Sequence, residues 1–112
     1  MGKKYEETAA DHLRSKGLNI LECNFRCRIG EIDIIAKDKR TIVFVEVKYR
    51  RNKKLGLPSE AVDIRKQITI SRVADYYRLI NRLPEGTPYR FDVVAILGEE
   101  IRWYENAFEY MA

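Results

Sequence analysis

A chain of 112 residues with a formal net charge of +4 is sized for one domain with a modest core, and its mild basic bias favours polyanionic partners without requiring them. One histidine and two cysteines make no zinc constellation, and no run approaches a membrane span or the apolar core of a signal peptide. The expectation is a single cytoplasmic domain over residues 1–112, with no membrane partner and with no repeat, low-complexity tract or linker dividing it.

A first helix is predicted from Lys3 to Lys16, with Gly17 as its stop. Its Ala9, Ala10 and Leu13 should face a sheet with Tyr5 beside them, and His12 reads as a helix-surface residue rather than a catalytic base. A strand follows from Asn19 to Cys27. Cys23 and Cys27, four apart on a strand, would hold their Cα atoms roughly 13 Å apart. That is beyond disulfide reach, so free thiols in a reducing compartment are expected.

Next come two runs rich in Ile and Val, Ile32 to Ala36 and Thr41 to Val47, joined by a short polar segment; they predict a hairpin. Whether the loop is Asp38-Lys39 or Lys37 to Arg40, Ala36 pairs with Thr41, Asp33 with Phe44, Glu31 with Glu46 and Ile29 with Lys48. Alternation then gives an apolar face of Gly30, Ile32, Ile34, Ala36, Val43, Val45 and Val47. The other face gathers Glu31, Asp33, Glu46 and Lys48 among Ile29, Ile35, Ile42 and Phe44. Arg51 to Pro58 reads as a loop. Ser59 is the expected N-cap of a long helix to about Arg82, with Ile64, Ile68, Ser71, Ala74, Tyr77 and Ile80 as its apolar stripe. Leu83 to Pro88 breaks the chain, Arg90 to Leu97 alternates as a strand, and a short strand follows from Ile101 to Tyr104. The order αβββαβ is an α/β fold with a central mixed sheet flanked by helices.

The hairpin's polar face carries the chemistry. Two carboxylates about 6 Å apart at an effective dielectric near 20 repel by roughly 2.8 kcal/mol, and a cation removes that penalty. Clustered carboxylate oxygens suit Mg²⁺, with Mn²⁺ as a substitute; the ion takes one or two carboxylates and leaves room for phosphate oxygens. Lys48 lies two residues from Glu46 on the same face, placed to orient a water or to stabilise charge on a phosphate. From Lys48 to Lys54 the chain reads Lys-Tyr-Arg-Arg-Asn-Lys-Lys, basic and free of acid, an electrostatic footprint for a phosphate backbone through Arg50, Arg51, Lys53 and Lys54. On the second helix Lys66 and Gln67 fall outside the apolar stripe, as do Arg65, Arg72 and Arg78, and could extend that surface. Arg90 and Asp92 share a strand face and read as a structural ion pair or as support for the site. Trp103 reads as packing against the sheet.

Asp33 followed by Glu46-Val47-Lys48 on the next strand resembles the D…(D/E)xK signature of the restriction-endonuclease-like nucleases, with Ile32 where proline is often found. Tyr5-Glu6-Glu7-Thr8-Ala9-Ala10-Asp11-His12-Leu13, Gly30-Glu31-Ile32-Asp33, Phe44 to Arg50 and Arg90-Phe91-Asp92 together resemble the YraN family. These are small bacterial proteins related to archaeal Holliday junction resolvases. The resemblance implies a restriction-endonuclease-like core and a metal-dependent DNA endonuclease acting on structured or branched DNA. Asp33, Glu46 and Lys48 would be catalytic, Asp33 and Glu46 would hold the metal, and Glu6 on the first helix would add an acidic group near it. Glu31 either joins the metal's ligands or only holds Lys48. Symmetric cutting of two strands would require a homodimer. The competing expectations are a non-catalytic nucleic-acid-binding module and a protein-interaction subunit on the same fold.

Overall fold

The computed structural model describes residues 2–51 and 61–112, with side chains from Lys4 onward. Helix α1 spans Gly2–Ser15, strands β1, β2 and β3 span Asn19–Arg26, Glu31–Asp38 and Thr41–Arg50, helix α2 spans Ile64–Ile80, and strands β4 and β5 span Tyr89–Leu97 and Glu100–Phe108. The five strands lie in the order β1-β2-β3-β4-β5. Neighbours are antiparallel except β3 and β4, which run parallel. A parallel pair needs a long crossover, and α2 supplies it.

The helices cover opposite faces. Ala9, Ala10 and Leu13 of α1 pack with Ile34, Ala36, Val43, Val45 and Val94. Ile70, Val73, Ala74 and Tyr77 of α2 pack with Ile35, Phe44, Phe91 and Val93. Both faces of the central strands are therefore buried, which is why β4 is apolar almost throughout. On α2 the buried stripe is Gln67, Ile70, Ser71, Val73, Ala74 and Tyr77, displaced from the expected one: Ile64 and Ile80 are exposed. The helix also begins later than expected. Its N-cap is Asp63, whose carboxylate accepts the Lys66 N–H at 2.9 Å; Ser59, Lys53, Lys54 and the expected loop from Asn52 onward lie outside the described residues.

The hairpin register differs from expectation by two residues. Asp38 pairs with Thr41, Ala36 with Val43 and Ile35 with Phe44, so the turn is Lys39-Arg40, with Lys39 at φ 57°. Asp38 stays in the strand because its carboxylate takes the Arg90 guanidinium at 3.1 Å. A slip of two residues preserves the faces, but β2 also changes face midway. Ile34 and Ala36 point to α1, whereas Ile32 packs in the α2 cluster. Gly30 also faces α2, since a Cβ there would sit 2.7 Å from the Thr69 methyl. The switch falls at Asp33. On β1 the flanking pairs are Cys23 with Ile34 and Phe25 with Ile32, and Asn24 between them has φ 56°. A left-handed residue in a strand rolls the chain over, and Asn is among the few non-glycine residues that adopt it readily.

At the far end of the sheet, fully buried Asp92 accepts Arg90 Nε at 3.0 Å, Trp103 Nε1 at 2.9 Å and the Asn106 N–H at 2.8 Å. Arg90 and Asp92 are thus a structural pair, and Trp103 packs against the α1-side cluster. Cys23 and Cys27 are free thiols.

The left-handed Asn24 gives the first prediction. Asn24→Val should destabilise the protein by about 1–3 kcal/mol, because a β-branched residue resists positive φ. Asn24→Gly, which accepts that conformation, should cost markedly less. Urea denaturation of the two variants measures the difference; equal losses would mean that the backbone at Asn24 is not what matters.

Candidate active site

The ladder between β2 and β3 stops at Ile34 and Val45. One residue further, Asp33 would stand opposite Glu46; instead its Oδ2 accepts the Val47 backbone N–H at 2.8 Å. Beyond that point β2 stays with β1, through Phe25–Ile32 and Arg26–Glu31, while β3 stays with β4 as far as Arg50 and Leu97. The strands part, and the gap opens a pocket of about 450 Å³ lined by Tyr5, Glu6, Glu31, Asp33, Glu46, Val47, Tyr49 and Lys66.

Three carboxylates meet in this gap from three elements. Glu6 reaches it from α1 and Glu46 from β3, alternating with Val45 and Val47 and so on the α2 side of the sheet. Asp33 stands between them and hydrogen-bonds to both. A hydrogen bond between two carboxyls requires a proton on one of them. Burial, followed by the charge of Asp33, pushes Glu46 up to about 8. Burial and then Asp33 likewise push Glu6 up to about 7, opposed by a hydrogen bond from Asn24. Glu6 Oε1 is buried without a hydrogen-bond partner, an acceptor left open inside the site.

The cations approach from the α2 side. Lys48 Nζ lies 3.6 Å from Glu46 Oε2 and Lys66 Nζ lies 4.0 Å from the same oxygen. Lys66, expected on a nucleic-acid surface, therefore shares Glu46 with Lys48. Gln67 is buried instead, and its Nε2 donates to the Val62 carbonyl at 2.8 Å. Glu31 does not oppose Glu46 as the expected register required. It pairs with Arg26, whose Nε donates to Glu31 Oε2 at 2.9 Å, and it borders the pocket from there. Arg50 and Arg51 are exposed just past the site, whereas Arg78 stacks over the Tyr89 ring at 4.2 Å and pairs with Asp75.

Three site residues escaped the sequence reading in their roles: Asn24, Tyr5 and Tyr49. The tyrosines flank Glu6 and Lys48 in sequence, a signal that was available. Asn24 had none, because the bend it makes depends on the strand pairing.

The oxygens gathered here are hard-cation ligands. Among the described residues, no three acidic, histidine or cysteine side chains stand ready to enclose a metal. Mg²⁺ needs only one or two carboxylates beside water and phosphate. Asp33 and Glu46 could supply them, with the open oxygen of Glu6 nearby.

Over residues 5–96 the chain matches the uncharacterised protein family UPF0102. It belongs to that family. It is 55% identical over 108 residues to a UPF0102 protein of Lachnoclostridium phytofermentans, covering 96% of this chain and 92% of the relative. A UPF0102 protein of Caldicellulosiruptor bescii is 52% identical over 96 residues, covering 86% and 81%. One from Clostridioides difficile is 50% identical over 105 residues, covering 92% and 91%. No helix among the described residues is long and apolar enough to cross a membrane.

The raised carboxyls fix the sign of a pH effect. Glu6 and Glu46 hold protons in the fold that they release near pH 4.3 when unfolded. Their contribution to stability is complete below about pH 4.3 and is lost as pH rises through about 7 and about 8. In the presence of chelator, the thermal midpoint should fall between about pH 5 and about pH 9. Glu46→Gln, uncharged throughout, should flatten that fall. A parent profile that is flat over the interval would refute the protonated cluster.

Proposed function

We propose that this protein is a metal-dependent DNA endonuclease of the restriction-endonuclease-like type, hydrolysing phosphodiester bonds in structured or branched DNA. The observation that carries the reading is the convergence of Glu6, Asp33 and Glu46 in one gap of the sheet, with Lys48 and Lys66 on Glu46. Repelling, buried carboxylates are costly to keep without a cation. A pair of lysines beside them supplies positive charge for a polyanionic substrate. The resemblance of Asp33 and Glu46-Val47-Lys48 to the D…(D/E)xK signature, and of the whole chain to the YraN family, supports the same conclusion. So does the placement of both strands in a mixed sheet between two helices.

In this reading Asp33 and Glu46 hold Mg²⁺ or Mn²⁺, with Glu6 beside them. Such an ion, when bound, would supply Lewis-acid polarisation of a phosphate and a water of lowered pKa. Asp33 is fixed by the Val47 N–H, so one oxygen is oriented before any substrate arrives. Glu46 must lose its proton on metal binding, so affinity for the ion rises with pH. Lys48, held by Glu46 at 3.6 Å and 24% exposed, orients the attacking water or stabilises charge developing on the phosphate. Lys66 draws the backbone toward the gap. Arg50 and Arg51 continue the positive surface, and Mg²⁺ with DNA completes the site from outside the chain.

Cleavage of a panel of duplex, flap, four-way junction and single-stranded DNA, with and without Mg²⁺, tests the proposal. Metal-dependent nicking of at least one substrate is expected. Lys48→Ala should lower the rate by about 10²-fold or more while changing DNA affinity much less. Asp33→Asn and Glu46→Gln should each abolish cleavage and the metal-induced rise in thermal midpoint. A parent protein that cuts nothing in the panel yet binds DNA in a salt-sensitive way would instead be a binding module.

A further inference from the structure

Two rings in the pocket take no part in holding metal or charge. Tyr5, one residue before Glu6, and Tyr49, one residue after Lys48, stack with centroids 4.2 Å apart and planes inclined by 19°. Both are half-buried, and both line the same pocket as the three carboxylates. Tyr49 shares the strand face of Val45 and Val47 and so lies on the α1 side of the sheet, where Tyr5 of α1 stacks on it. The pocket is therefore polarised. One wall is a two-ring aromatic stack, the floor is carboxylate, and Lys66 stands on the other wall.

Resting on the nuclease reading, we propose that the Tyr5–Tyr49 stack is a nucleobase subsite and that the preferred substrate presents an unpaired nucleotide beside the scissile phosphate. A base has two π faces, and an aromatic wall offers it a stacking partner without regard to its identity. In a duplex those faces are covered by neighbouring base pairs, so a paired nucleotide reaches such a wall only after extrusion from the stack. A single-stranded flap or the strand at a branch has its faces already available. The volume, about 450 Å³, falls in the range of pockets that enclose small organic ligands (about 300–1,000 Å³). A single nucleotide is of that size, and a double helix is not. A nucleotide stacked on this wall would bring its phosphate toward the carboxylates and Lys66 that line the same pocket.

Fluorescence titration in Ca²⁺ tests the subsite, using oligonucleotides of one sequence as single strand, as full duplex and as duplex with a single-stranded flap. Each carries 2-aminopurine, in the unpaired segment where there is one. The parent is expected to bind the single strand and the flap more tightly than the duplex and to quench the 2-aminopurine by stacking. Tyr5→Leu and Tyr49→Leu keep an apolar side chain at the helix–sheet contact and remove the π face. Each should weaken binding to unpaired DNA by about 5- to 100-fold and abolish the quench, leaving duplex affinity unchanged. Tyr5→Phe and Tyr49→Phe should retain both properties. Equal affinity of the parent for all three DNAs would overturn the proposal. So would leucine variants that lose duplex and single-strand binding alike while the phenylalanine variants fold normally, since that pattern marks the rings as an anchor for α1 only. Because the readout is binding, a protein that shows the preference but cuts nothing would sink the nuclease reading and leave the base subsite standing.

Discussion

The parting of β2 from β3 at Asp33 is the constraint on which the rest of the site depends. A continuous ladder would place Asp33 and Glu46 as facing neighbours on one side of a closed sheet, with no space between them. The side chain of Asp33 instead takes the Val47 N–H, so this backbone donor is not stranded by the opening. The opened gap lets α1 and α2, on opposite faces, reach one point. Glu6 arrives from one face and Lys66 from the other; Asp33 links Glu6 to Glu46, and Lys66 meets Glu46 directly at 4.0 Å.

The same event explains the change of face along β2. Asn24 and Asp33 lie between the last pair that follows the α1-side pattern and the first that follows the α2-side pattern. Rolling the β1–β2 hairpin at this point buries Ile32 and Phe25 beneath α2 and brings Gly30 against Thr69. The half of the hairpin that parts from β3 is thereby packed against α2, while its other half stays in the ladder with β3. Packing thus holds the gap open. The opposite end of the sheet is tied by the Asp92 network, which makes the gap a local feature of a rigid sheet.

Electrostatics sharpen the arrangement. Of the three carboxyls in this half-enclosed gap, Glu6 and Glu46 hold protons well above the ordinary carboxylate range, because burial and the neighbouring Asp33 charge disfavour their ionised forms. Lys48 and Lys66 both engage one oxygen of Glu46, which offsets part of that cost and leaves the far side of the cluster, with the open oxygen of Glu6, uncompensated.

By itself the sequence determined the order of the helices and strands and brought most of the candidate site's residues together, while α2 begins later and β5 runs longer than its local pattern predicts. The Ile and Val runs could only be buried strands, Gly17 ended the first helix, and the parity of the hairpin put Asp33, Glu46 and Lys48 in one neighbourhood, because side-chain alternation survives a slip of two residues. It did not determine which carboxylates meet. Glu31 was drawn opposite Glu46 by a turn placed one residue early, and only the pull of Arg90 on Asp38, made across the sheet, fixes the turn at Lys39-Arg40. Nor did it determine the roll at Asn24, the sharing of Glu46 by Lys66, or the stacking of Tyr5 on Tyr49. Each of these joins residues on elements far apart in the chain. Local periodicity carries no information about such contacts, and they are settled when α1 and α2 close on the two faces of the sheet.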